Sequence, residues 1–100
     1  MRSGYSIVWS GRASKDLDRI SEYLEKNWTE KETSTFVKKL HKRLNLISYF
    51  PKLSSKSRLK KNVRKSVLTK QVIIYYSFKN NVVEIITLFD SRQHPSKLKL

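Results

Sequence analysis

Apolar positions along this chain follow two periods. Ala13, Leu17, Ile20 and Leu24 recur at spacings of four, three and four. That spacing predicts an amphipathic helix over residues 12–27, with Ser10 as its N-cap and Asn27-Trp28 closing it. Lys15, Asp16, Asp18, Glu22 and Glu25 fall on its other faces and read as a solvated surface. Thr29-Glu30-Lys31-Glu32 is a capping box: the threonine caps and a glutamate sits three residues on. The helix it opens places Phe36, Val37, Leu40, Leu44 and Ile47 on one stripe. It ends near Phe50, because Pro51 cannot continue it. So short a connection between two amphipathic helices predicts an antiparallel helical hairpin.

Elsewhere the pattern is that of strands. Tyr5–Trp9 is rich in β-formers and stops at Ser10-Gly11. Three further strand signals follow at Val63–Val67, Gln71–Phe78 and Val82–Phe89. Asn80-Asn81 joins the last two, and asparagine tolerates the positive φ that a tight hairpin needs. The last two strands are almost wholly apolar instead of alternating, which predicts a sheet covered on both faces. Residues 51–62 lack periodicity and read as an exposed loop. The tail from Asp90 reads as polar and basic. The expected fold is α+β, in the order β-α-α-β-β-β. A helical hairpin packs on one face of a mostly antiparallel four-stranded sheet, in a single domain over residues 1–100.

Charge changes this picture. The net charge is +14, and it is uneven. Residues 1–50 hold ten Lys/Arg against six Asp/Glu (10 − 6 = +4), and residues 51–100 hold twelve against two (12 − 2 = +10). Glu84 and Asp90 are the acids of that second half. Such an imbalance favours a polyanion or an acidic protein surface as partner. The chain has no cysteine, which removes disulfides and thiolate metal sites. No apolar run reaches the roughly 18 residues of a membrane span, and the start, Met1-Arg2-Ser3-Gly4, has no signal-peptide core. The expectation is a cytoplasmic protein with no membrane partner, no metal, no cofactor and no small-molecule substrate.

The candidate binding residues are basic. Lys56, Arg58, Lys60 and Lys61, with Lys52, crowd the loop before the second strand, and Arg64 and Lys65 open that strand. Each phosphate they neutralise adds close to one unit to the salt dependence of binding. Arg64 stands apart: a guanidinium on a strand holds a phosphate or carboxylate with two parallel bonds, or else pairs with Asp90 or Glu84 inside the sheet. Arg92 and Lys97 extend the basic set into the tail. His94 lies two residues after Arg92. An extended chain puts both on one side, where a cation and an imidazole serve proton transfer beside a developing anion. Otherwise His94 is simply an exposed residue before Pro95, the reading that a lone histidine favours. His41, on the second helix, reads as surface. Tyr75 and Tyr76 face opposite sides of their strand. One belongs to the core, and the other is free to stack a base or meet a partner.

These residues carry a resemblance. Tyr5 to Trp9 with Ser10 and Ala13, Asp16-Leu17 with Ile20 and Tyr23, Trp28 and Phe50-Pro51 form its first half. Val63-Arg64, Val72-Ile73-Ile74-Tyr75-Tyr76 and Leu88-Phe89-Asp90-Ser91-Arg92-Gln93-His94-Pro95 complete it. In this order the chain resembles a toxin of the RelE/ParE superfamily from type II toxin–antitoxin modules. The resemblance spans essentially the whole chain and implies a cognate acidic antitoxin that wraps the toxin. It also implies one of two activities. RelE-like members cut messenger RNA on the ribosome with basic residues and no metal, whereas ParE-like members poison DNA gyrase. For the nuclease the resemblance implies Arg64, Arg92 and His94 as catalytic. However, Val72 stands where those nucleases place an arginine, and their tail tyrosine is absent. The resemblance therefore implies a ParE-like gyrase poison first and a ribosome-dependent endoribonuclease second; a plain basic nucleic-acid-binding domain is the further reading that the charge alone allows.

Overall fold

A computed structural model describes residues 4–100; Met1 to Ser3, the lead-in to the first strand, lie outside the described residues. Strand β1 (Ser6–Trp9) leads into helices α1 (Gly11–Asn27) and α2 (Glu30–Tyr49). A two-residue strand, β2 (Ser55–Lys56), precedes β3 (Arg64–Val67), β4 (Val72–Lys79) and β5 (Val82–Asp90). A single 3₁₀ turn, Pro95–Lys97, follows in the tail.

The helix ends are as the local chemistry demands. Ser10 Oγ accepts from the Ala13 amide at 3.0 Å, and Thr29 and Glu32 form the reciprocal capping box. Trp28 closes α1 and Phe50 closes α2. The stripes point to the sheet, with Ala13, Leu24, Phe36, Leu40 and Ile47 buried. Val37, assigned to the same stripe from sequence, is 44% exposed. It flanks the stripe, and the residues that pack are those at the a/d-like positions beside it. Gly4 lies against Ser48 of α2 so closely that a Cβ there would collide with the Ser48 hydroxyl. That approach lets Tyr5 donate to the Ser48 carbonyl at 2.8 Å and accept from its hydroxyl at 2.6 Å.

The sheet has five strands in the order β1-β5-β4-β3-β2, one more than the sequence predicts. β1 pairs parallel with β5, Ser6 opposite Val82, and every other pairing is antiparallel. The extra strand lies in what reads as a loop: Ser55 pairs with Lys65 and Lys56 with Arg64. Both residues of β2 are exposed, so no apolar period could mark it. Asn80 and Asn81 have φ of 52° and 63° and make a two-residue turn between Lys79 and Val82, the geometry of a type I′ hairpin.

Both faces of the sheet are covered. Ile74, Tyr76, Val83, Ile85 and Leu88 meet the helices. Each such side chain, once fully buried, contributes about 1.5–3 kcal/mol. The other face carries a smaller cluster of Val63, Tyr75 and Phe89, with Ile73, Ile86, Leu98 and Leu100 packed on it. The tail, read as polar, thus supplies two leucines as a cover. Tyr75 is only 5% exposed beneath it, so neither tyrosine of the central strand is free to stack a base.

Candidate basic and cleft-forming surfaces

The loop cations sit at one sheet edge. Lys56 lies on β2 and Lys65 on β3, and Arg58, Lys60 and Lys61 occupy the connection between them; all five are exposed. Arg64 faces the helix side of the same edge. Its Nη1 donates to the carbonyls of Lys52 at 3.0 Å and Ser54 at 2.7 Å. Its guanidinium lies 5.7 Å from the Phe78 ring centroid. Next to it the buried Tyr76 hydroxyl donates to the Pro51 carbonyl at 2.7 Å, and burial raises the pKa of that phenol. Arg64 therefore meets neither Asp90 nor Glu84. It fastens the segment from Lys52 to Lys56 onto the sheet through backbone carbonyls.

Arg92 lies elsewhere. β4 places Tyr76 opposite Arg64 and Val72 opposite Asp90. Four residues of strand separate the two positions, roughly 13 Å at about 3.3 Å per residue. Arg92 grips Asp90 through Nε (3.0 and 3.2 Å) and Nη2 (2.7 Å). It also donates from Nη1 to the Tyr23 hydroxyl at 3.1 Å, with its guanidinium 4.7 Å from the Tyr23 ring centroid. The hydrogen bonds from Arg92 hold the Asp90 carboxyl below the usual carboxylate range, and Asp90 in turn raises Arg92. His94 is exposed and caps the 3₁₀ turn, with Nδ1 3.1 Å from the Ser96 amide and 2.8 Å from its hydroxyl. The +10 half is therefore two basic surfaces at opposite ends of the sheet. Arg64 does not share a site with Arg92 and His94.

The Arg92–Asp90 pair has a pH signature. A carboxyl held low in the folded state contributes stability above its unfolded pKa, and loses it as pH falls through the folded one. The melting temperature of the native chain is expected to drop more steeply below about pH 4 than that of Asp90→Asn. The two curves should run parallel above that range, and equal acid slopes would count against the pair.

Sequence reasoning missed Asp16. Ile86 is the extra residue of a bulge in β5, since Tyr75 pairs with Thr87 and Tyr76 with Ile85. β1 ends opposite Ile85, so the bulge borders an open stretch of β5. Asp16 fills it: Thr87 Oγ1 donates to Asp16 Oδ2, and the Leu88 amide donates to the same oxygen at 3.3 Å. Arg19 pairs with Oδ1 at 2.9 Å. Ser10 Oγ donates to the Ile86 carbonyl at 2.7 Å. Charge and spacing offer no signal for this, because Asp16 looks like the other acids of α1; only its place in the family resemblance sets it apart.

Among the described residues no group of three or more His, Cys, Asp or Glu is placed to hold a metal. No helix among them is long and apolar enough to cross a membrane.

The described chain is thus a helical hairpin on a mixed sheet whose first strand pairs parallel with its last long strand. The chain is similar in fold to the chromosomal ParDE toxin–antitoxin system from P. aeruginosa, at 15% identity and a TM-score of 0.71, covering 86% of this chain and 95% of that one. It is also similar to a metal-bound toxin from Helicobacter pylori (19%, TM-score 0.57, 95% and 99%). A third likeness is to the E. coli DinJ–YafQ complex (15%, TM-score 0.52, 88% and 94%). No curated protein matches the chain. The model of the ParE toxin of type II toxin–antitoxin systems matches residues 7–95. The chain belongs to the ParE toxin family.

Proposed function

We propose that this chain is a ParE-like toxin that arrests growth in the cytoplasm by binding DNA gyrase and is neutralised by a cognate acidic antitoxin. The separation of Arg64 from Arg92 carries this reading. A nuclease that stabilises one scissile phosphate with both arginines needs them within reach of one atom. Here Arg64 lies on β3 and the Asp90 that Arg92 grips lies on β5, roughly 13 Å apart along the strands and on opposite sides of β4. Lys56, Arg58, Lys60, Lys61 and Lys65, held by Arg64, serve as the target-binding surface, and Arg92 and Lys97 as a second. An antitoxin partner is favoured by the ParDE and DinJ–YafQ likenesses. Exposed apolar side chains at the end of α2 favour it too, with Tyr49, Phe50 and Leu53 at 45%, 55% and 69%.

The test is a supercoiling assay with purified gyrase, together with primer extension on translated messages after induction. Inhibition of supercoiling, relieved by the small acidic protein encoded beside the toxin gene, is the expected result. Cleavage of messages in the ribosomal A site with gyrase unaffected would replace this reading by the endoribonuclease.

A further inference from the structure

A cleft of about 340 Å³ opens between α1 and the end of the sheet where β4 begins. It is separate from the loop cations and lies beside the Arg92–Tyr23 contact. Its floor is apolar, formed by Leu24, Phe36, Val72 and Leu88. Tyr23 and Trp28 bring two further aromatic rings to its walls. The exposed residues Gln71 and Gln93 also line it. A volume at the lower end of the small-ligand range, apolar below with a few polar groups above, is the usual form of a binding site.

The charges in the cleft fall into compensated and uncompensated sets. Asp16 is paired with Arg19, and Asp90 with Arg92. Arg12 and Lys97 remain. Arg12 donates to the backbone carbonyls of Lys99 and Lys97, the latter at 3.2 Å; these bonds use two of its five N–H donors and leave its charge uncompensated. Neither has an acidic partner among the described residues. Two residues with uncompensated positive charge, joined by the Arg12 bond to the Lys97 main chain, thus line the cleft. A phosphate monoester, at about −1.5 to −2 near neutral pH, matches that charge. An acidic peptide would spread single charges along its length. A planar base suits the aromatic and apolar interior, and amide side chains suit the donors and acceptors on a base edge.

The geometry points to a nucleotide site: this cleft takes a nucleobase on its aromatic and apolar lining and a terminal phosphate monoester at Arg12 and Lys97. The source is either a free mononucleotide or the 5′-phosphorylated end of a nucleic acid.

The experiment is a titration of the ¹⁵N-labelled chain with AMP, adenosine and inorganic phosphate, read at the indole signals of Trp28 and, as control, Trp9. AMP is expected to shift Trp28 saturably and to bind about tenfold or more tighter than adenosine, since charge-assisted hydrogen bonds are worth about that much. Lys97→Gln should weaken AMP by about the same factor and leave adenosine unchanged. Its ammonium has no partner to lose, so the fold is kept. Gln71→Trp, at an exposed turn, should fill the cleft and weaken both ligands. A pentanucleotide with and without a 5′-phosphate separates the sources. Binding of the phosphorylated form assigns a nucleic-acid end, and binding of AMP alone assigns a free nucleotide. Shifts confined to residues 52–65, equal response to AMP and inorganic phosphate, or no saturable shift would each overturn the site. A Trp28 shift with a Glu-rich aromatic peptide but not with AMP would overturn it in favour of a protein partner.

Discussion

Asp16→Ala is expected to destabilise the fold by about 3 kcal/mol in urea denaturation, the upper part of the range for losing hydrogen bonds to a charged group. One carboxylate oxygen serves both the Thr87 hydroxyl and the Leu88 amide at the bulge of β5. Alanine leaves both donors without an acceptor in a part of the sheet that β1 does not reach. Thr87 is 1% exposed, so water has little access. Asp16→Asn keeps an acceptor oxygen and loses the Arg19 pair, an exposed contact worth about 1 kcal/mol or less. The asparagine variant should therefore retain most of the stability. Equal losses in the two variants would mean that the ion pair, and not the bulge, is what Asp16 supports.

Arg64→Ala carries the second large effect, and its form separates two roles. If Arg64 held a target phosphate and nothing else, toxicity would fall with stability unchanged. The structure ties Arg64 to the carbonyls of Lys52 and Ser54 and to the face of Phe78. Alanine is thus expected to cost about 2 kcal/mol from the two charge-assisted bonds and to release β2 from the sheet edge. Amide exchange at Ser57 and at position 64 should rise together. Growth inhibition should fall with it, because Lys56 to Lys61 lose their placement. Arg64→Lys is expected to restore neither property, since an ammonium does not reproduce the planar fork and its stacking. A variant that keeps full stability and slow exchange while losing toxicity would return Arg64 to direct contact with the target.

The parts of this fold that were legible in sequence are those fixed by neighbours along the chain. Ser10, the Thr29–Glu32 box and Pro51 bound the helices through groups at most a few residues away, and Asn80-Asn81 sets its turn by backbone preference alone. β2 was not legible. Two exposed residues, Ser55 and Lys56, carry no period, and they form a strand because Arg64 and Tyr76 hold the preceding carbonyls. Leu98 and Leu100 alternate over too short a stretch to announce a cover for Phe89 and Tyr75. For the candidate site, residue type showed where positive charge collects. It did not show which cation is spoken for. Arg92 is matched to Asp90 two residues back, which a local reading could find. Arg64 is matched to main-chain oxygens, which no side-chain pattern reveals.

The parallel pairing of β1 with β5 sets a timetable for synthesis. Ser6 has no strand partner until Val82 exists, and Trp9 waits for Ile85. A chain emerging from the ribosome can form its two helices early, but it cannot seat them on a finished sheet until nearly all of it has been made. Contacts this distant in sequence close slowly. The half-made chain keeps the apolar stripes of both helices uncovered, so a partner or chaperone able to shield them would meet the nascent protein before its last strand is in place.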